Sequence, residues 1–476
     1  MSLRERVLSQ SFRAVDAEAG SQPSSSRCTL SLSLVIKLVA WLLLAIGAGV
    51  LVVMSGGQSS GLQPMLKRSK TQLVTPVQYT MDELKFAAAY LNPEVMVHGP
   101  LNEAAFLADY LSPCWNDDTS QMRCLPHLII MGGFHSGAGT LTRAIEQHPD
   151  VASDASSGSQ FWAEDGKTMQ EYNTGWSSAV KRVQAQPNKT VVLDSSQSTF
   201  AFYWAAAGKA HRAFGSTVRP CHANCSADME KYIVCMDTVC LPAARAADQK
   251  LAKQAGIDYD LDQHLPLIMR ALYMTRPPRL VALLRNPLDR LHSAYYGYPH
   301  YHGKFGDNPE GFLAYVQDLV GAFKNCSSLH GDLACTLRFE TLGMEQEKVY
   351  FHVDQLLRGM YSVYVETWLR FFPDSLLLLK SEDFFGAGAT KVLQQVQRHA
   401  GLEPWSDEEA AQKLAAVTVP KHVKGRPMLP VARELLTDFY RPHIQNLAEI
   451  TGRGDYLDWL KPPASDGAMG PATTMA

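Results

Sequence analysis

Apolar positions in this chain gather into a few short continuous runs, separated by segments with helical spacing. Leu128-Ile129-Ile130-Met131 is one such run, ended by Gly132-Gly133. Thr190–Leu193, Leu280–Leu284 and Ser375–Leu379 are three others. A strand reads as an unbroken apolar run when both its faces are covered, so strands of this kind alternating with helices predict a parallel sheet between helical layers. Ligands of such sheets bind beyond the carboxyl ends of the strands. A helical pattern over Thr140–Gln147 follows the first run, and the main domain is read as 126–461. Upstream, helical spacing around Met81–Leu91 and Glu103–Leu111 marks an N-terminal extension, 76–125, packed on that domain.

The longest apolar stretch lies nearer the start. Leu38 to Met54 carries 17 residues without a charge, and Leu30 to Ile36 lengthens it across the single Lys37. A helix of roughly 20–25 apolar residues spans a bilayer, and a lysine near its end can snorkel to the headgroups. This predicts a transmembrane signal-anchor helix over 30–54, a cytosolic tail over 1–29 and a Gly/Ser/Gln-rich stem over 55–75. A cleaved signal peptide is the alternative, but nearly 30 polar residues precede the run and no clear cleavage site follows it. The tail 462–476 has the composition of a disordered segment.

Basic residues flank the apolar stretch on both sides, so charge alone orients it weakly. Cysteines orient it better. Beyond Cys28 lie eight, Cys114, Cys124, Cys221, Cys225, Cys235, Cys240, Cys326 and Cys335, several close enough in sequence for local disulfides in an oxidising compartment. Glycosylation acceptor patterns at Asn188, Asn224 and Asn325 fall in the same part of the chain. A zinc site built on 221–240 with His222 is the competing reading of the cysteine cluster, but no Cys-x-x-Cys knuckle occurs there. The expectation is a lumenal main domain with disulfides and no metal.

In composition the 476 residues are 46% hydrophobic and 19% charged, with formal net charge −3. Basic residues are scattered and no tail of like charge exists, so nucleic acid is not indicated as a partner. Any anion site must be local.

Two segments supply local anion chemistry. In Gly132-Gly133-Phe134-His135-Ser136-Gly137-Ala138-Gly139-Thr140, four glycines let backbone N–H groups curl around an anion while the following helix aims its positive end at it. A nucleotide kinase loop would need Gly-Lys-Ser/Thr, which is absent. In Arg285-Asn286-Pro287-Leu288-Asp289-Arg290-Leu291-His292-Ser293, an arginine leaves a buried strand, proline starts a helix and a serine follows eight residues on. Guanidinium and hydroxyl are both donors to phosphate oxygens.

Together these segments resemble the phosphate-binding loops of PAPS-dependent sulfotransferases (PAPS is 3′-phosphoadenosine 5′-phosphosulfate). The match extends along His148-Pro149-Asp150-Val151, Phe161-Trp162, Asp194-Ser195-Ser196-Gln197-Ser198-Thr199, Gly359-Met360-Tyr361, Trp368-Leu369-Arg370-Phe371-Phe372-Pro373, Glu382-Asp383-Phe384 and Pro427-Met428-Leu429-Pro430. It is similar in that order to the Golgi carbohydrate branch, nearest the N-acetylgalactosamine 4-sulfate 6-O-sulfotransferase type, over about 126 to 460.

The resemblance implies an α/β fold, a P-loop-like parallel sheet flanked by helices on both faces and preceded by one transmembrane helix. It implies transfer of a sulfuryl group from PAPS to a glycan or proteoglycan hydroxyl, with PAP as product, in a type II Golgi membrane protein. A homodimer is left open. By resemblance, Gly133, His135, Ser136, Gly137, Ala138, Gly139 and Thr140 hold the 5′-phosphosulfate and Arg285 and Ser293 the 3′-phosphate. Lys421 and Lys424 close over the adenine end.

Two departures matter. His135 stands where the family places the loop lysine that stabilises the departing bridging oxygen, and Ser157-Gly158-Ser159-Gln160 replaces the Lys-Glu that supplies its base. Near neutrality a histidine, with a pKa of about 6.5, is only partly charged. The acceptor hydroxyl still has to lose a proton. Glu164, Asp165 and Asp194 are the carboxylate candidates for that role, and His135 serves either leaving group or base. A catalytically silent lumenal protein on the same fold is the rival reading.

Overall fold

The computed structural model describes residues 74–163, 167–202, 208–344, 355–417 and 426–462. The expected membrane helix, the cytosolic tail, the stem up to residue 73, the C-terminal tail from residue 463, Glu164, Asp165, Lys421 and Lys424 lie outside the described residues. Among the described residues, no helix is long and apolar enough to cross a membrane.

Two antiparallel strands, β1 (Cys114–Asn116) and β2 (Met122–Cys124), form a hairpin closed by the Cys114–Cys124 disulfide. Five more strands make one parallel sheet: β3 (Leu128–Gly132), β4 (Val151–Ala152), β5 (Val191–Asp194), β6 (Arg279–Leu284) and β7 (Leu376–Lys380). Their spatial order is β4-β5-β3-β6-β7, and every pairing is parallel. The four apolar runs read from the sequence are β3, β5, β6 and β7. Two-residue β4 has no run to announce it.

Alternation along each strand explains why the runs are unbroken. Ile129 and Met131 of β3, with Leu280, Ala282 and Leu284 of β6, enter the core on one face of the sheet. Leu128 and Ile130, with Val281 and Leu283, enter the core on the other. All nine are fully buried, and each large aliphatic side chain contributes about 1.5–3 kcal/mol by leaving water. A polar residue on either face of these strands would be stranded in a helix-covered core.

The helices that bear on the site, in chain order, are α1 (Met81–Leu91), α2 (Ala138–Ile145), α3 (Arg212–Ala223), α4 (Leu241–Ala255), α5 (Leu265–Tyr273), α6 (Pro287–Gly297) and α7 (Tyr361–Phe371). Helix α1 begins at a capping box, in which Thr80 accepts from the Glu83 N–H while Glu83 accepts from the Thr80 N–H. The second upstream segment departs from its pattern. Only Glu103–Ala105 makes a 3-10 turn, and then Phe106 bridges Trp115 and the Leu107 N–H donates to the Cys114 carbonyl. Pairing with the hairpin there overrides the helical spacing of Glu103–Leu111.

Between β5 and β6 the chain makes a helical excursion through α3 and α4, with its own small core of Phe214, Val218, Met236, Leu241 and Ala244. Cys221–Cys240 and Cys225–Cys235 fasten it, and Cys326–Cys335 closes a separate helical turn. The sulfurs of Cys225, Cys235 and Cys240 lie within 4.8 Å of one another. Each is already committed to a disulfide, so the cluster has no thiolate to offer a metal. Asn188, Asn224 and Asn325 are all exposed.

The upstream extension is stitched into this body. The Asn92 amide donates to the Lys209 carbonyl (2.9 Å), and Arg212 donates to the Asn92 carbonyl oxygen (2.9 Å). Glu94 accepts from the Met169 N–H (2.7 Å), and Tyr79 donates to Asp262 (2.7 Å).

Candidate functional site

Strand β3 has β5 on one side and β6 on the other, and the chain visits β4 and β5 before crossing to β6. This is a topological switch point, where the turns leaving neighbouring strands diverge and open a crevice. Three turns leave the sheet there: 132–140 after β3, 195–199 after β5 and 285–287 after β6.

The first turn is shaped by glycine. Gly132 has φ of 119°, and a Cβ there would sit 2.3 Å from the Gln197 carbonyl oxygen, so only glycine lets the turns after β3 and β5 touch. Gly137, at φ of 87°, is the N-cap of α2 and brings no capping side chain. Thr140 and Leu141 N–H groups bond the Gly137 carbonyl, while those of Ala138 and Gly139 make no backbone hydrogen bond among the described residues. Uncapped N–H groups at a helix start are anion donors.

Side chains from the turn after β6 and from α6 converge on the first turn. Arg285 donates from Nη1 to the His135 carbonyl at 3.0 Å, and the Ser293 hydroxyl lies 3.3 Å from His135 Nδ1. His135 itself holds a left-handed backbone, φ of 56°, which costs about 1 kcal/mol for a residue with a Cβ. Its ring meets Tyr298 edge-on at 5.0 Å. The carbonyl of Arg285 accepts from the Tyr361 hydroxyl (2.8 Å), fixing the exit from β6. The Glu382-Asp383-Phe384 segment after β7 buttresses both turns. Ser381 donates to the Ser136 carbonyl (2.7 Å), and Glu382 accepts from the Asn286 N–H (2.8 Å). Ser136 is buried, so it contributes through its main chain, and Thr140 accepts from Arg143 at 3.3 Å.

Of the carboxylates considered as bases, Asp194 is fully buried. It accepts from the Tyr172 hydroxyl (2.7 Å), the Ser196 hydroxyl (2.7 Å), the Ser196 N–H (3.0 Å) and the Gly158 N–H (3.1 Å). Burial raises its pKa while those donors oppose the rise. The geometry makes it a tie between β5 and the 157–160 loop, with no face turned to the crevice. The same loop is held by Gln160, which accepts from the Ser198 N–H at 3.0 Å. Arg290, the other cation of the second segment, is also buried and donates to Gln355 at 3.1 Å.

Beside the crevice lies a pocket that the sequence did not announce. Trp162 and Phe202 wall it, with Lys209, His211, His264 and Arg358 among its polar lining. It adjoins the crevice, because the Arg358 guanidinium packs over the Phe134 ring of the first turn at 4.3 Å and Ser198 of the turn after β5 also lines the pocket. Lys209 lies 4.3 Å over the Phe161 ring and donates to the Lys167 carbonyl (2.6 Å). Lys209-Ala210-His211, a cation and an imidazole among small residues, was the only local sign available. Tyr295 and Tyr296 of α6 are buried in the core and offer no face for a sugar ring.

No protein-family model matches the chain. Carbohydrate sulfotransferase 15 of Homo sapiens is 24% identical over 339 residues, covering 69% of this chain and 54% of that protein. The Mus musculus protein of the same name is 23% identical over 337 residues, with the same coverage, and the Rattus norvegicus one 27% over 177 residues, or 36% of this chain and 29% of that protein. The chain spans about half the length of the first of these relatives. A solved sulfotransferase from Alicyclobacillus acidocaldarius superposes with TM-score 0.36 at 15% identity, covering 71% of this chain and 99% of that one. The likeness to the curated relatives supports a carbohydrate sulfotransferase family for this chain.

Proposed function

We propose that this chain transfers a sulfuryl group from PAPS to a glycan hydroxyl, as a type II protein of the Golgi membrane with its main domain in the lumen. The observation that carries the reading is the meeting of two separated turns at one switch point, with Arg285 on the His135 carbonyl and Ser293 beside the His135 ring. The donor set suits a nucleotide bearing phosphates at both ends. The N–H groups of Ala138 and Gly139 face one anion at the start of α2, and the guanidinium and hydroxyl of Arg285 and Ser293 serve the other. The neighbouring pocket, with two aromatic walls and two cations, is where the acceptor sugar docks. Exposed acceptor asparagines and the four disulfides support a lumenal setting.

When bound, PAPS supplies an activated sulfuryl group. This chain's residues position it and stabilise charge on the oxygens around sulfur, in the manner of phosphoryl transfer. His135 donates a proton or hydrogen bond toward the departing oxygen. The test is calorimetric titration with PAP, followed by transfer of labelled sulfate from PAPS to a panel of galactosaminoglycan and glucosaminoglycan oligosaccharides. Binding with transfer is the expected result. Binding with no transfer to any chain would favour a silent glycan-binding protein, and absence of PAP binding would remove the nucleotide site altogether.

A further inference from the structure

Sulfuryl transfer to a hydroxyl needs a proton acceptor, and with His135 given to the departing oxygen the crevice leaves no second imidazole for that role among the described residues. The 157–160 loop carries no carboxylate, and Asp194 is consumed by four donors. The pocket beside it offers two imidazoles. His264 is unsuited, since its Nε2 lies 2.9 Å from the Asp260 carbonyl and burial holds its pKa down to about 3. The other is His211.

From these positions we infer that His211, oriented by Asp248, is the base that takes the proton of the acceptor hydroxyl, an assignment resting on the transfer reading above. Nδ1 of His211 lies 2.6 Å from Asp248 Oδ2, and both residues are buried, Asp248 completely. The other carboxylate oxygen of Asp248 has no hydrogen-bond partner among the described residues. A buried carboxylate committed to one imidazole nitrogen fixes the tautomer with the proton on Nδ1. It thereby makes Nε2 the basic atom and stabilises the imidazolium once formed. His211 lines the pocket with Trp162 and Lys209; the pocket shares Ser198 with the turn after β5, and its Arg358 packs over Phe134 of the first turn. Asp248 does not itself line the pocket and acts through His211, as a positioning residue.

The step balances without another reagent. The hydroxyl oxygen forms its bond to sulfur as the bond from sulfur to the bridging oxygen of the 5′-phosphate breaks. That electron pair stays on the departing phosphate oxygen, and the hydroxyl proton passes to Nε2 of His211 and from there to water. His135 and His211 then divide between two rings the duties that a single imidazole could not perform together.

The test uses the full chain with H211N and D248N variants. Expected for H211N is PAP binding within twofold of the parent, an unchanged acceptor KM, and kcat lower by about a hundred- to ten-thousand-fold. D248N lowers kcat less, again without changing KM. A readout independent of turnover is the ¹⁵N spectrum of histidine-labelled protein. It should show a His211 Nε2 signal of acceptor type that shifts when the most active oligosaccharide of the panel is added with PAP, and a lost tautomer preference in D248N. An active parent whose H211N variant keeps kcat within threefold, or a His211 signal unmoved by PAP and oligosaccharide, overturns this assignment alone. A parent that transfers sulfate to no glycan overturns the functional reading beneath it. Should H211N fail to fold, the spectrum of the parent and the D248N kinetics decide.

Discussion

The crevice and the pocket beside it are built from different materials. The crevice is made of main chain, with glycines at 132 and 137, bare N–H groups at the start of α2 and a carbonyl at His135 that receives Arg285. The pocket is made of side chains, with Trp162, Lys209 and His211, and Arg358 arriving from three separate stretches. A backbone site survives replacement of most of its side chains but not of its glycines. A side-chain site fails one residue at a time. On the proposed reading, the difference also explains how a histidine can stand where the resemblance implies a lysine: an anion there would be held mainly by atoms common to every residue type.

The sharpest way to break the comparison is Gly132→Val. Its Cβ would sit against the Gln197 carbonyl at 2.3 Å with φ of 119°, so a loss of about 3 kcal/mol or more is expected in chemical denaturation. A variant as stable as the parent would show that the two turns do not need to touch. Next in size is Arg285→Ala, which unties the turns and should weaken PAP binding about ten- to hundredfold by calorimetry, the cost of one charge-assisted contact. Unchanged affinity would remove Arg285 from the nucleotide site.

Asp194→Asn tests whether this carboxylate is a tie or a base. An amide cannot accept from all four donors, so about 1–3 kcal/mol of stability should be lost. A fully stable but inactive variant would restore it to the chemistry. A last effect concerns pH. His264 is buried neutral, its pKa pushed down from the usual 6.5 to about 3 by loss of water, so the unfolded chain binds its proton first. The native state therefore keeps this contribution above pH 6.5 and loses it as pH falls toward 3, by at most about 1.4 kcal/mol per pH unit. His264→Gln should flatten that part of the stability curve, and an unaltered slope would place the acid sensitivity elsewhere.

Much of the sheet was legible because its strands are buried on both faces. Each such run is written continuously in Leu, Ile and Val, as in β6. The crevice was legible because its donors lie within nine residues of one another in each turn. What escaped was whatever depends on partners distant in the chain. Glu103–Leu111 has helical spacing, but Phe106 finds Trp115 and the segment extends. Nothing near Asp248 marks it as the partner of His211, and nothing near Arg358 marks it as lying over Phe134. Those contacts join separate stretches that only the fold brings together.

The stitching of the extension has a practical edge. Asn92 grips the Lys209 carbonyl and the Arg212 guanidinium, and Glu94 holds the start of the helix at Met169. A recombinant fragment pared back to Pro126 would keep the turns of the crevice while losing the brace behind the pocket proposed for the sugar. Such a fragment should bind PAP and still turn over poorly, a pattern easily mistaken for natural inactivity.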